Sequence, residues 1–394
     1  MKLLEGITVL DFTQFLAGSY CAMLLGDMGA EVIKIERPET GEVYRTYGPK
    51  FIGGESTSYL SVNRSKKSLT LNLKDRRAVS LALRLVERAD VLIENFTPGA
   101  MEKLGLGYGE TSKTNPRLIY CSISGFGQTG PYKNRGGFDL ILQGMSGMMS
   151  VTGEADGPPV KVGYAVTDMG AGMFGALGVL AALVARPKTG KGQWVDTSLL
   201  EAGLAWSLLT AGNFFADGEV QQRSGSVSPQ NAPYQAFETS DGFINVGTGN
   251  ERLWITFCEI LNVVELTRDP RFKDNASRVK NQKELEREVA PVMKRKTTRE
   301  WMELLDAGGI PAGPIYDIRE ALNDPQVLSR DMVVEYDHPK AGRVRAVGFP
   351  IKFSGEAFKI SNPPPLLGEH NREILGSLDL TEDEIMDLKR EGVI

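Results

Sequence analysis

Short β-rich runs alternating with stretches of helical period fill the first third of the chain, and this alternation restricts the fold more than any other feature. Residues 7–12 (ITVLDF) form one such run. A small-residue turn, LAGS, and an apolar-periodic stretch, YCAMLLGDMG, lead into a second run, EVIKIE, at 31–36. Together they read as a βαβ unit. The pattern continues, because the helix-like AVSLALRLVERAD precedes the strand VLIENF at 91–96, and LIYCSIS at 118–124 reads as a further buried strand. Strand and helix in alternation predict an α/β domain with a largely parallel sheet.

Past Asp168 comes a Gly/Ala-rich helix, and then TGKGQWVDTSLLEAGLAWSLL, which predicts a strand feeding another long helix. After about residue 215 the character changes. ADGEVQQRSGSVSPQNAP is polar and rich in turn formers, as a linker or active-site loop is. From Tyr234 to about Leu322, short strands such as FINVG and charged amphipathic helices such as QKELEREVAPVMKR predict a second, smaller domain. The tail, with VGFPIKFS and the proline run NPPPLLGEHNREIL, predicts a return to strand and loop.

Composition excludes several classes of function. The 45 Lys and Arg against 50 Asp and Glu leave a net charge of −5, which argues against a nucleic-acid grip or a polybasic membrane anchor. Cys21, Cys121 and Cys258 lie far apart with no CxxC or Cys/His spacing, so neither a disulfide framework nor a metal site is expected. The apolar run before Asp11 is too short for a signal peptide, and the longest apolar stretch, Met169 to Ala185, reads as a buried helix. The expected compartment is the cytoplasm.

GFGQTG at Gly125 to Gly130 follows a predicted strand and matches GxGxxG, yet Pro131 through Gly137 continue as loop where a dinucleotide fingerprint opens a helix. It reads as a glycine-rich turn, and no P-loop motif exists. Arg37 directly follows the second strand, and Lys74 and Lys103 also come soon after predicted strands. Three cations near strand ends suit a phosphorylated nucleotide, while salt-bridged surface residues are the other reading. Asp168 directly precedes the Gly/Ala helix. Helix amides there would hold its carboxylate ionised and steady a nearby oxyanion, or the residue is simply an N-cap. Asp139, after a glycine pair, reads as a similar cap. His338 and His370 lie in Pro/Gly-flanked turns and read as surface residues, so a Ser-His-Asp triad has little support.

The segments LEGITVLDFTQFLAG, GAEVIKIERP, NRSKKSLTLNLK, VLIENFTPGAMEKLGLGY, the Asp168 segment, TGKGQWVDTSLLEA, IPAGPI and PLLGEHNREIL, in this order, resemble the class III CoA-transferases. That family includes formyl-CoA transferase, carnitine CoA-transferase and the α-methylacyl-CoA racemases. The resemblance implies a Rossmann-like large domain built from both chain ends plus a smaller α+β domain, in an interlocked homodimer. The implied boundaries are 1–200 for the first part of the large domain, 201–230 for a linker helix and loop, 231–325 for the small domain and 326–394 for the return.

It also implies Asp168 as the catalytic nucleophile, with Gln14, Phe138 and Asp139 in the active-site pocket. The implied CoA site is Phe15, Ala17, Arg37, Leu71, Lys74, Asn95, Phe96 and Lys103, with no metal, no permanently bound cofactor and coenzyme A thioester as substrate. Two departures bear on substrate. Gln14 and Leu16 stand where formyl-CoA transferase has a histidine and a glutamine, and Phe138 stands where the racemases have a histidine. GFGQTG and SGSVSPQ are candidate lids. The expected activity is transfer of CoA from an acyl-CoA to a carboxylic acid, dicarboxylic acids included, through an aspartyl anhydride and an aspartyl-CoA thioester. An acyl-CoA racemase or a non-catalytic CoA-binding protein are the alternatives.

Overall fold

The structure, a computed structural model, describes residues 3–355 and 358–394; Met1 and Lys2 of the N-terminal run, and residues 356–357 within the 326–394 return, lie outside the described residues. The chain divides into two compact units. The first comprises residues 1–148, 161–215 and 325–394, the second residues 149–160 and 216–324.

The first unit is organised by six parallel strands: β1 (Thr8–Asp11), β2 (Glu31–Glu36), β3 (Lys66–Thr70), β4 (Val91–Glu94), β5 (Ile119–Ser124) and β6 (Trp194–Ser198). Their spatial order is β3-β2-β1-β4-β5-β6, the doubly wound order in which the chain reverses direction across the sheet between β1 and β4. Every residue of β4 and β5 is buried, as parallel strands covered on both faces must be.

Helix α1 (Ala17–Asp27) follows β1, and α2 (Arg76–Arg88) follows β3, capped by Asp75 through the Arg77 amide. Helix α3 (Asp139–Met145) and the long α4 (Val166–Thr189) come after β5. Helix α4 extends beyond the apolar run at both ends and stops at Gly190, whose positive φ of 71° closes it. It is long and apolar enough to cross a membrane, and here its glycine face packs on α1 and the sheet. The other face is open, with Met169, Met173, Leu177 and Val184 exposed, so the expected buried helix is buried on one side only.

The long helix expected after β6 is two, Leu199–Ala205 and Leu208–Asp217, bent by 70°. The tail also departs from strand and loop. A hairpin (Val333–His338 with Gly342–Val347) is followed by helices Asn371–Gly376 and Glu382–Arg390, and Ile374, Leu375, Ile385, Val393 and Ile394 join the core beneath α2 and β3.

The second unit has an antiparallel three-stranded sheet, with Phe243–Gly247 between Tyr234–Glu238 and Ala312–Pro314. Its core gathers Phe237, Ile244, Trp254, Phe257, Met293 and Trp301. Arg278 is fully buried within it, pairing with Glu251 and donating to the Ala232 carbonyl.

Candidate active site

Reversal of strand order leaves a crevice at the carboxyl ends of β1 and β4, where open α/β sheets bind their ligands. Two loops meet there. The Gln14 amide donates to Asn95 Oδ1 (2.8 Å) and Asn95 Nδ2 donates back to the Gln14 carbonyl (2.7 Å). Next to it Phe15 has a φ of 58°, uncommon for a bulky side chain. Its amide donates to Glu42 Oε2 (3.3 Å), and its ring stands edge-on to Tyr44 (5.6 Å), Tyr47 (6.4 Å) and Phe138 (6.1 Å). Ala17 is buried at the start of α1.

A cleft of about 560 Å³ opens beside these loops, and Gln14, Arg37, Glu42, Leu71, Lys74 and Phe96 are among the residues lining it. Arg37 and Lys74 are exposed, and among the described residues neither cationic head is tied to a carboxylate. Phe15, Ala17, Asn95, Lys103, Phe138, Asp139 and Asp168 are not part of the lining. Asn95 reaches it through Gln14, whereas Lys103 is exposed at the end of the short helix Ala100–Lys103.

Asp168 is the third residue of α4, not its N-cap, which is Ala165. The cap comes from another helix. Asp139, the first residue of α3, accepts the Thr167 amide (2.9 Å) and hydroxyl (2.7 Å) on Oδ1 and the Gln143 amide nitrogen (2.7 Å) on Oδ2. The expected local cap at Asp139 is thus a cap across helices, made by a carboxylate whose two oxygens are both engaged. Phe138, just before it, is 66% exposed and touches Phe15.

Four residues into α4 from Asp168, Gly172 lets the helix approach α1 so closely that a Cβ would lie 2.5 Å from the Ala17 carbonyl oxygen. That approach packs α4, one turn past Asp168, against the start of α1, which follows the loop after β1. The first turn of a helix favours negative charge. Burial outweighs this, and with the nearby Asp139 charge it pushes Asp168 up to about 7. The carboxylate is therefore not held ionised across the whole pH range, as the helix position alone suggests. Burial, then the Asp168 charge, also push the Tyr44 phenol up to about 12.

Beneath the loop lies a buried ionic network that the sequence reading missed. Lys66 Nζ donates to Asp11 Oδ2 (2.8 Å), the Ser19 carbonyl (2.9 Å) and Asn63 Oδ1 (2.9 Å). Lys34 Nζ donates to the Thr13 carbonyl (2.9 Å) and lies 3.5 Å from Asp11. Arg45 forks onto Glu36 at 2.6 and 2.7 Å. Burial opposes ionisation of Asp11, but Lys34 and Lys66 outweigh it and hold it at about 2; burial lowers Lys66 to about 8 against the pull of Asp11. The signal was a charge inside apolar strands, Lys34 between Ile33 and Ile35.

The remaining candidates are structural. His338 is buried, not on the surface, and its Nδ1 accepts the Lys340 and Ala341 amides in the hairpin turn. His370 Nδ1 accepts the Ser68 amide, tying the tail to β3. In GFGQTG the Gly127 amide donates to Ser124 Oγ and the Gln128 amide to Asp196, and no helix begins until Asp139. Among the described residues no three His, Cys, Asp or Glu side chains converge as a metal site.

Residues 4–371 match the family model described as CoA-transferase family III. The chain is 42% identical over 395 residues to the succinyl-CoA:glutarate CoA-transferase of Mus musculus, covering all of this chain and 91% of the relative. It is 40% identical over 352 residues to the acetyl-CoA:oxalate CoA-transferase of Acetobacter aceti, covering 89% of each. A crystal structure of a CAIB/BAIF family protein from Brucella suis superposes with a TM-score of 0.85 at 36% identity, over 95% of this chain and 99% of that one.

Proposed function

The chain belongs to CoA-transferase family III and is an enzyme that transfers CoA, and from that premise we propose that it moves CoA from an acyl-CoA donor to a dicarboxylic acid acceptor with Asp168 as covalent nucleophile. One observation carries this reading. A largely buried carboxylate, raised to about 7, sits in the first turn of α4, a helix that Gly172 brings against the start of α1, directly after the loop whose Phe12 and Gln14 line the cleft. Relatives named for succinyl-CoA with glutarate and for acetyl-CoA with oxalate support a dicarboxylate acceptor.

In the proposed sequence an ionised Asp168 oxygen attacks the thioester carbon, the C–S bond breaks, and CoA leaves as thiolate from a mixed anhydride. The thiolate then attacks the Asp168 acyl carbon, releasing the donor acid and leaving an aspartyl-CoA thioester. The acceptor carboxylate repeats the two steps in reverse and regenerates Asp168. No proton is gained or lost overall. The cations at Arg37 and Lys74 suit the nucleotide end of CoA, and its remote binding energy helps hold the reacting ends together. The aromatic rings of Phe15, Tyr44 and Phe138 suit the exclusion of water from the anhydride.

Racemisation needs proton-exchanging groups on both faces of the α-carbon, and Phe138 offers none. Apolar residues exposed on α4 and beyond it, Leu177, Trp206, Leu208 and Phe215 among them, support pairing with a second copy of the chain. Three buried, unpaired cysteines suit the cytoplasm. The test is purified protein with succinyl-CoA or acetyl-CoA against glutarate, oxalate and monocarboxylates, products followed by mass spectrometry. New acyl-CoA made from a dicarboxylate is expected. Deuterium wash-in at the α-carbon of a 2-methylacyl-CoA without CoA exchange would move the assignment to a racemase.

A further inference from the structure

We propose that Glu42 is a positioning residue for the reacting end of this site, holding the Phe15 backbone and the Tyr44 segment in register beside Asp168; the inference rests on the nucleophile assigned above. Glu42 is buried and faces three ways. One oxygen, Oε2, accepts the amides of both Phe15 (3.3 Å) and Tyr44 (3.0 Å), and the other, Oε1, accepts Asn63 Nδ2 (3.3 Å). Its own amide donates to Glu36 Oε2 (3.1 Å). A single carboxylate thus joins the loop after β1 to the one-turn helix Val43–Arg45, which it also caps.

Both segments bear on the reacting end. Phe15 adopts a left-handed backbone that an aromatic residue takes only when its surroundings enforce it, and the Glu42 bond to its amide is one such constraint. The ring held there touches Tyr44, Tyr47 and Phe138, and Phe138 adjoins the carboxylate that caps Asp168's helix. Glu42 is itself fixed from behind. Asn63 cannot flip its amide toward Glu42, because its Oδ1 accepts Lys66 Nζ. Lys34, Lys66 and Arg45 balance Asp11, Glu36 and Glu42 in charge, so the carboxylate is compensated although it lies on the cleft wall. A neutral amide at position 42 keeps the volume, but its NH₂ must face either the Asn63 NH₂ or the two backbone amides, so one side of the joint opens.

The test compares parent, E42Q and E42D. Turnover, CoA affinity by calorimetry, the rate at which acyl-CoA labels Asp168, and the melting temperature are measured for each. Expected is a fall of about 10- to 100-fold in kcat and in labelling rate for E42Q, the size of effect that slight misplacement of reacting groups produces. CoA affinity should change by much less than kcat does, and E42D, which keeps the charge, should fall between the two. Turnover of E42Q within twofold of parent would overturn the proposal, as would a loss of CoA affinity equal to the loss of kcat. If E42Q does not fold, E42D is held to the same criteria. A parent that never labels at Asp168 removes the proposed function and this role together; a parent that labels, with E42Q labelling equally fast, removes only the role of Glu42.

Discussion

The Asp139 carboxylate accepts both the amide and the hydroxyl of Thr167, at 2.9 and 2.7 Å, one residue before Asp168. One acid thereby fixes the end of the helix that carries the other, and burial, with the first acid's charge added, raises the other to about 7. The same side chain thus caps the helix that carries Asp168 and adds its charge to the burial that raises the Asp168 carboxyl.

The first prediction concerns pH. With Asp168 raised to about 7, kcat/KM should rise with pH through the neutral range as the carboxylate ionises. D139N removes the like charge and should move that rise to lower pH, while weakening the Thr167 cap and lowering the plateau. A pH–rate profile of both proteins checks this; a parent profile flat from about pH 5 to 9 would contradict it.

Stability should respond in the opposite sense to activity. Folded Asp168 keeps its proton to about pH 7, whereas the unfolded chain loses it near the ordinary 3.8, so parent stability falls as pH rises between those values. D168N lacks this dependence. It should be more stable than parent by about 1 to 2 kcal/mol at pH 8 and close to parent at pH 4, measured by denaturant unfolding.

Removing Lys66 should be costly. K66M leaves the buried Asp11 with its Thr13 donors and, as a cation, Lys34 at 3.5 Å, and strips a donor from Ser19 and Asn63, for an expected loss of about 3 to 5 kcal/mol. E303Q, which breaks the exposed Arg299 pair, should change stability by no more than about 0.5 kcal/mol. Similar losses in the two variants would refute the account of the network.

Arg37 and Lys74 line the cleft, while Lys103 does not. R37A and K74A should each weaken CoA binding roughly 10-fold or more, as loss of a charge-assisted phosphate contact does. K103A should have the smaller effect. Calorimetry with CoA and with dephospho-CoA shows which cation meets the 3′-phosphate, since the variant lacking that contact no longer distinguishes the two ligands.

The sheet was legible because parallel strands covered on both faces read as apolar runs: EVIKIE coincides with β2, and the runs at 7–12, 91–96 and 118–124 hold β1, β4 and β5. The site was legible in part. Asp168 stood out before its glycine-rich helix, but its cap could not be read, because Asp139 lies 28 residues from Thr167 along the chain. The Asp11–Lys66 pair spans 55 residues and was hidden for the same reason. The tail helices were missed beside the proline run, although Thr381 and Glu384 form a capping box that marks the start of the last one. The break at Trp206 and Ser207 has no glycine or proline to announce it.

The most direct test of the central claim is covalent. Parent enzyme incubated with succinyl-CoA and quenched with hydroxylamine, then digested and sequenced by mass spectrometry, should carry a hydroxamate on Asp168, and D168N should carry none and transfer no CoA. A modification on another residue, or a D168N variant that still moves CoA at the parent rate, would contradict the mechanism.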